Sequence, residues 1–172
     1  MNHESLVLTV IGEDKPGLVE GLATLVADHH GNWLESRMAR LAGQFAGILH
    51  VEVPAEHRAA LGQALKQLSE RGLRVTVTNQ GADPTTTVAQ EVTLELVGDD
   101  RPGIVRQISR IIAAHGVNVL EISTSTESAP MSGEALFRAQ ARLQVPAEVA
   151  LSELQEALEK VSHDLMVDLT FS

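Results

Sequence analysis

The chain has 172 residues, 44% of them apolar and only 2% aromatic, with 13 Lys+Arg against 23 Asp+Glu for a net charge of −10. Three Phe, one Trp and no Tyr leave no platform for stacking bases or sugars, the absence of cysteine removes disulfides, thiolate metal sites and cysteine nucleophiles, and so acidic a chain, basic in neither half, is not expected to bind nucleic acid. The amino terminus lacks a basic start followed by an apolar run, and no stretch approaches the ~18 apolar residues of a membrane span, so the expectation is a soluble cytoplasmic protein with no membrane partner.

In chain order, residues 6–11, LVLTVI, form the first predicted strand; being apolar on both sides of the alternation, it is expected to be more buried than the matching strand of Val92, Leu94 and Leu96. The segment Gly12, Glu13, Asp14, Lys15, Pro16, Gly17, Leu18 follows. Pro16 suits the first turn of a helix, and Gly17 leaves the backbone bare, so that unpaired first-turn N–H groups are available to a carboxylate. The same residues also read as a plain tight turn capped by Asp14. Leu18, Leu22, Leu25, Val26 and His29 then recur at helical spacing, which makes His29 a buried, hydrogen-bonded packing residue, and Gly31 is expected to end this helix. Asn32 enters the next strand and offers a donor and an acceptor suited to a zwitterion, or serves only as a turn residue. Two strands come next, Pro54 opens a second helix with Leu61, Leu65 and Leu68 inside, and Leu73, Val75 and Val77 close the unit as a last strand.

Residues 80–90 read as a linker, rich in Gly, Pro and Thr, between a domain at 1–79 and another at 91–172. The second domain repeats the first. Residues 92–121 align without gaps on 6–35, matching Gly98 to Gly12, Asp100 to Asp14, Pro102 to Pro16, Gly103 to Gly17, His115 to His29 and Asn118 to Asn32. Its loop is Gly98, Asp99, Asp100, Arg101, Pro102, Gly103, Ile104, with Asp100 as the alternative cap. Its first helix carries Ile104, Ile108, Ile111, Ile112 and His115 and is expected to end at Gly116. Phe137, Ala139, Ala141, Leu143 and Val145 alternate with Arg138, Gln140, Arg142 and Gln144, which describes a sheet with one wet face. Pro146 opens a helix with Leu151, Leu154, Leu158 and Val161, and Leu165, Val167 and Leu169 form the last strand. An insertion around Pro130, Met131, Ser132 and Gly133, absent from the first copy, is the candidate contact with a partner protein, or a tolerated surface insertion. Each copy thus follows the split βαβ plan, strand, helix, strand, strand, helix, strand, giving an α+β fold of two four-stranded antiparallel sheets, each with two helices on one face.

The pattern G-x-D-[KR]-P-G-[LIV], followed by a His-bearing helix end and an Asn entering a strand, resembles the ACT domain, a small amino-acid-sensing module. Two tandem copies, with residues 32–53 and 127–139, are similar to the glycine cleavage system transcriptional repressor family. The resemblance implies ferredoxin-like units, ligand sites at Asp14, Lys15, Pro16, Gly17, Leu18 and Asn32 and at Asp100, Arg101, Pro102, Gly103, Ile104 and Asn118, pairing of units as a homodimer, a small amino acid ligand with glycine first, and control of a transcription regulator by protein contact. In the second copy the loop would take the carboxylate and Asn118 the ammonium. Trp33 departs from the second copy's Val119; its indole would fill the first pocket, which favours the second. Enzymatic readings find no support: there is no phosphate loop, G-x-S-x-G elbow, H-E-x-x-H or dinucleotide fingerprint, the histidines are scattered, and the expectation is no catalysis, no cofactor and no metal. A free-standing allosteric subunit of a metabolic enzyme is the alternative to a transcriptional adaptor.

Overall fold

The computed structural model describes residues 2–82 and 90–172. The alternating segments form the strands and the helically spaced segments the helices. β1 (His3–Glu13), α1 (Leu18–Asp28), β2 (Asn32–Leu41), β3 (Gln44–Pro54), α2 (Arg58–Gln67) and β4 (Leu73–Asn79) make the first unit. β5 (Gln90–Asp99), α3 (Ile104–Ala114), β6 (Asn118–Ser128), β7 (Ala135–Val145), α4 (Leu151–Leu165) and β8 (Val167–Phe171) make the second. The chain divides into units at Met1–Ala82 and Asp83–Ser172. Most of the expected linker, residues 83–89, lies outside the described residues.

Both sheets are antiparallel, in the orders β2-β3-β1-β4 and β6-β7-β5-β8. This is the expected α+β, ferredoxin-like βαββαβ arrangement, present twice. Both helices of a unit bury their apolar stripes on one face of its sheet. In the first unit Leu22, Val26, Leu61 and Leu65 pack with Leu6, Leu8, Val10, Leu49, Val51 and Val53. In the second, Ile104, Ile108, Ile112, Leu154 and Leu158 pack with Val92, Leu94, Leu96 and Leu143. Removing each such side chain from water contributes about 1.5–3 kcal/mol, so an aliphatic core replaces the aromatic one the composition forbids. On β7 the outer faces of Arg138 and Gln140 are exposed while Phe137, Ala139 and Ala141 are buried, as the alternation requires.

Five local expectations are corrected. β1 is hardly more buried than β5: Leu6, Leu8 and Val10 point into the core as Val92, Leu94 and Leu96 do, whereas Ile11 is 43% exposed on the open face of the sheet. The first helix does not end through Gly31; His30 takes the left-handed position at φ 57 that Gly116 takes at φ 67. Gly31 answers a packing need instead, since a Cβ there would lie 2.9 Å from Val26 Cγ1. Pro54 and Pro146 precede the second helices without opening them: a 3-10 turn over Ala55–His57 leads into α2, and α4 starts at Leu151. Leu165 ends α4 and is not in β8. His29 and His115 are only partly buried, and each donates its Nδ1 hydrogen to the carbonyl four residues back, Leu25 at 2.7 Å and Ile111 at 2.8 Å, closing the last helical turn.

Candidate functional site

Each unit passes from its first strand to its first helix through the same loop. Gly12 and Gly98 stand where no side chain fits: a Cβ on Gly12 would collide with the Gly72 carbonyl oxygen, and one on Gly98 with Val167 Cγ1. Beyond Pro16 and Pro102, Gly17 and Gly103 hold the N-cap positions of α1 and α3 in left-handed conformations, φ 87 and φ 94, with no capping side chain. Asp14 and Asp100 therefore do not cap these helices. The Asp14 carboxylate meets Arg40 Nε at 3.2 Å instead. The backbone N–H groups of Asp14 and Asp100 donate to the carbonyls of Gly43 and Ala135, both at 2.9 Å, tying each loop to the neighbouring hairpin. The first-turn amides of α1 and α3 are left without a side-chain cap, the condition for receiving an anion at a helix N-terminus.

Charge separates the two copies. The first turn of α1 carries Glu20, which repels an incoming carboxylate, while α3 has Arg106 at the same place. The loop cations also differ: Lys15 Nζ donates to the Arg71 carbonyl at 2.6 Å, and Arg101 Nη2 donates to Met166 Sδ at 3.9 Å.

The asparagines lie elsewhere. Asn118 pairs with Gln144, which lies opposite Glu91 near the start of β5, whereas the loop leaves from Asp99 at its end. Asn32 pairs with Glu52, opposite Ser5, with Glu13 at the far end of β1. Because β5 and β6 both run antiparallel to β7, they run parallel to each other, and the start of one is a strand length from the end of the other, roughly 27 Å at ~3.4 Å per residue. Within one unit, therefore, Asp100, Arg101, Pro102, Gly103 and Ile104 do not meet Asn118, and Asp14, Lys15, Pro16, Gly17 and Leu18 do not meet Asn32. A ligand of amino-acid size cannot bridge them there.

An apolar groove, with an open volume of about 40 Å³, runs between these two ends of the second unit, lined by Val105, Ile108 and Ile112 of α3 and by Val119, Ile122, Ala139 and Ala141. Ile122 is 52% exposed, and every residue of the edge strand β6 is exposed. In the first unit the matching space is occupied. Trp33 and Met38 pack against the core, Trp33 Nε1 donates to Ser36 Oγ at 3.2 Å, and Met38 closes over Gly47, where a Cβ would lie 2.5 Å from Met38 Cγ. The signal was present in the residue pairs: Trp33 with Val51 and Met38 with Gly47 in one copy, Val119 with Leu143 and Thr124 with Ala139 in the other. The edge is also electrically quiet. Glu121 and Glu127 pair with Arg142 and Arg138 at 3.1 and 3.2 Å, and the hydrogen bonds to Glu91 and Glu121 hold the Arg142 guanidinium above its ordinary pKa.

The insertion forms the β6–β7 turn. Ala129 donates to the Glu134 carbonyl at 2.8 Å, Gly133 to Ala129 at 3.1 Å, and Met131 is 99% exposed, with Pro130, Ser132 and Gly133 beside it. The first unit makes the same connection through Ala42 and Gly43 alone, at φ 50 and 78. Among the described residues no group of three or more His, Asp or Glu side chains could hold a metal ion, and no helix is long and apolar enough to cross a membrane.

Residues 4–78 match the ACT-domain family, and residues 86–163 match it again. The glycine cleavage system transcriptional repressor of Escherichia coli (strain K12) is 22% identical over 161 residues, 93% of this chain and 85% of that protein. Among solved structures, an unknown protein from Galdieria sulphuraria superposes with a TM-score of 0.84 at 29% identity, covering 99% of this chain and 98% of that one. A putative glycine cleavage system transcriptional repressor superposes with a TM-score of 0.70 at 20% identity, covering 100% and 98%.

Proposed function

Since this chain belongs to the ACT-domain family, with one ACT unit in each half, we propose that it is an amino-acid-responsive regulator that represses glycine cleavage genes by contacting a transcription regulator protein, not DNA. The low-identity relationship to the glycine cleavage system transcriptional repressor supplies the pathway and makes glycine the first ligand to test. The net charge of −10 opposes direct binding to duplex DNA.

The ligand site of this proposal is the second unit's loop, where the α3 amides and Arg101 and Arg106 receive the carboxylate. Asn118 comes from a second copy of the chain. If two β6 edges pair antiparallel about Ser123, Asn118 of the second copy lies opposite Ser128, at the end of the sheet where Asp100 bonds to Ala135. The bare edge, the apolar groove beside it and the neutralised Glu121 and Glu127 favour such a homodimer. Trp33, Met38 and Glu20 disfavour the same use of the first unit.

The observation that carries the regulatory reading is the 2.9 Å hydrogen bond from Asp100 N–H to the Ala135 carbonyl. It joins the ligand loop to the base of the hairpin bearing Pro130, Met131, Ser132 and Gly133, so that filling the loop alters the presentation of the exposed tip. The test is capture of a transcription regulator of the glycine cleavage genes by the purified chain, with and without glycine, alongside binding to duplex DNA at low and high salt. Glycine-dependent capture without DNA binding is expected; tight, salt-sensitive DNA binding overturns the reading.

A further inference from the structure

Met166 stands where the first unit has Gly72. Met166 caps α4 and Gly72 caps the 3-10 turn Leu68–Arg71 that follows α2; each immediately precedes the last strand of its unit, and both are left-handed, Met166 at φ 53 and Gly72 at φ 91. Glycine adopts that backbone freely, whereas an L residue with a long side chain is strained in it. Packing does not explain the methionine, which is 67% exposed. Its sulfur instead meets the Arg101 guanidinium, Nη2 to Sδ 3.9 Å. The matching cation of the first unit, Lys15, bonds to a backbone carbonyl, that of Arg71, which redox chemistry leaves unchanged. In the second unit an oxidisable atom faces the cation of the ligand loop.

We propose that Met166 is a reversible oxidation site for hydrogen peroxide that governs Arg101 and, through it, the loop at 98–104; the inference rests on that loop being the ligand site. The thioether sulfur attacks one peroxide oxygen, an S–O bond forms, and the O–O bond breaks. The departing hydroxide takes the proton from the new S–OH group to become water, so sulfur is oxidised by two electrons and the peroxide reduced by two. A thioether is a weak acceptor and a sulfoxide oxygen a strong one, so the product binds the guanidinium in a charge-assisted hydrogen bond. Arg101 is then held at the turn between α4 and β8 and withdrawn from an incoming carboxylate. Methionine sulfoxide is returned to the thioether by thiol-dependent reductases, which makes the change a switch.

The experiment treats the full chain carrying Met131→Leu with graded hydrogen peroxide, follows oxidation of Met166 and half-buried Met38 by peptide mass, and records the Arg101 side-chain N–H resonance by NMR. Met166→Gly, which restores the residue type of the first unit, is the sulfur-free control and relieves the backbone strain. Met166 is expected to oxidise well before Met38, the Arg101 resonance to shift with it, and glycine affinity to fall about fivefold, the loss expected when one exposed charge-assisted hydrogen bond competes for the guanidinium. In Met166→Gly, peroxide should change neither signal nor affinity. An Arg101 resonance unmoved by Met166 oxidation, or an affinity loss that persists in Met166→Gly, overturns the proposal. Should the reduced protein bind no glycine, the ligand-site reading fails and the Arg101 resonance alone decides this one.

Discussion

Trp33 and Val119 hold the same place in the two units, and the exchange sets one unit apart from the other. The indole lies against the first core with Met38 beside it, and Gly47 is glycine because Met38 comes within 2.5 Å of where its Cβ would be, with the Arg37 carbonyl at 2.7 Å. Gly47→Ala is therefore expected to destabilise the first unit by about 1–3 kcal/mol, the usual cost of overpacking, read as a lower denaturant midpoint at unchanged slope. Ala139 takes that place in the second unit opposite Thr124, leaving room for the groove. At the loop, Gly12→Ala meets a backbone carbonyl that has no flexible end to yield, and the expected loss is about 2 kcal/mol or more, measured in the same way.

At the scale of elements, the exposed strand β6 is the edge on which the proposed homodimer rests. Lysine at an exposed edge discourages strand pairing, so Ile122→Lys is expected to leave the fold intact while shifting the chain from dimer to monomer in sedimentation at micromolar concentration. A dimer that survives the substitution would contradict the proposed edge. The elements themselves were legible because alternation and helical spacing report directly on which face is buried: β7 buries Phe137, Ala139, Ala141, Leu143 and Val145, and α3 buries Ile104, Ile108 and Ile112 with Ile111 half-buried beside them. What the pattern does not report is strand direction across a sheet. Asn118 follows the loop at 98–104 by a single helix, yet β5 and β6 run parallel and hold them at opposite ends. Nor does the glycine nearest a helix end identify the left-handed residue: His30 takes that backbone and Gly31 is needed for contact with Val26. Pairing of residues between strands, as at Met38 and Gly47, is a tertiary fact that neither period contains.

For the whole molecule, the proposed regulatory path runs from the loop at 98–104 past the exposed β6 edge to the exposed hairpin. Deleting residues 129–133 from the hairpin is expected to abolish capture of the transcription regulator while glycine binding survives, since the turn lies outside the loop; intact capture would remove the hairpin from the contact. The central claim is that the second unit binds a small amino acid and the first does not. It is tested most directly by calorimetric titration of glycine into the intact chain, Asn118→Ala and Asn32→Ala. Loss of one polar contact costs about 1–3 kcal/mol, so Asn118→Ala is expected to weaken binding by roughly 5- to 150-fold, with Asn32→Ala unchanged from the parent. No heat of binding to the parent, or equal affinity in Asn118→Ala, would contradict it.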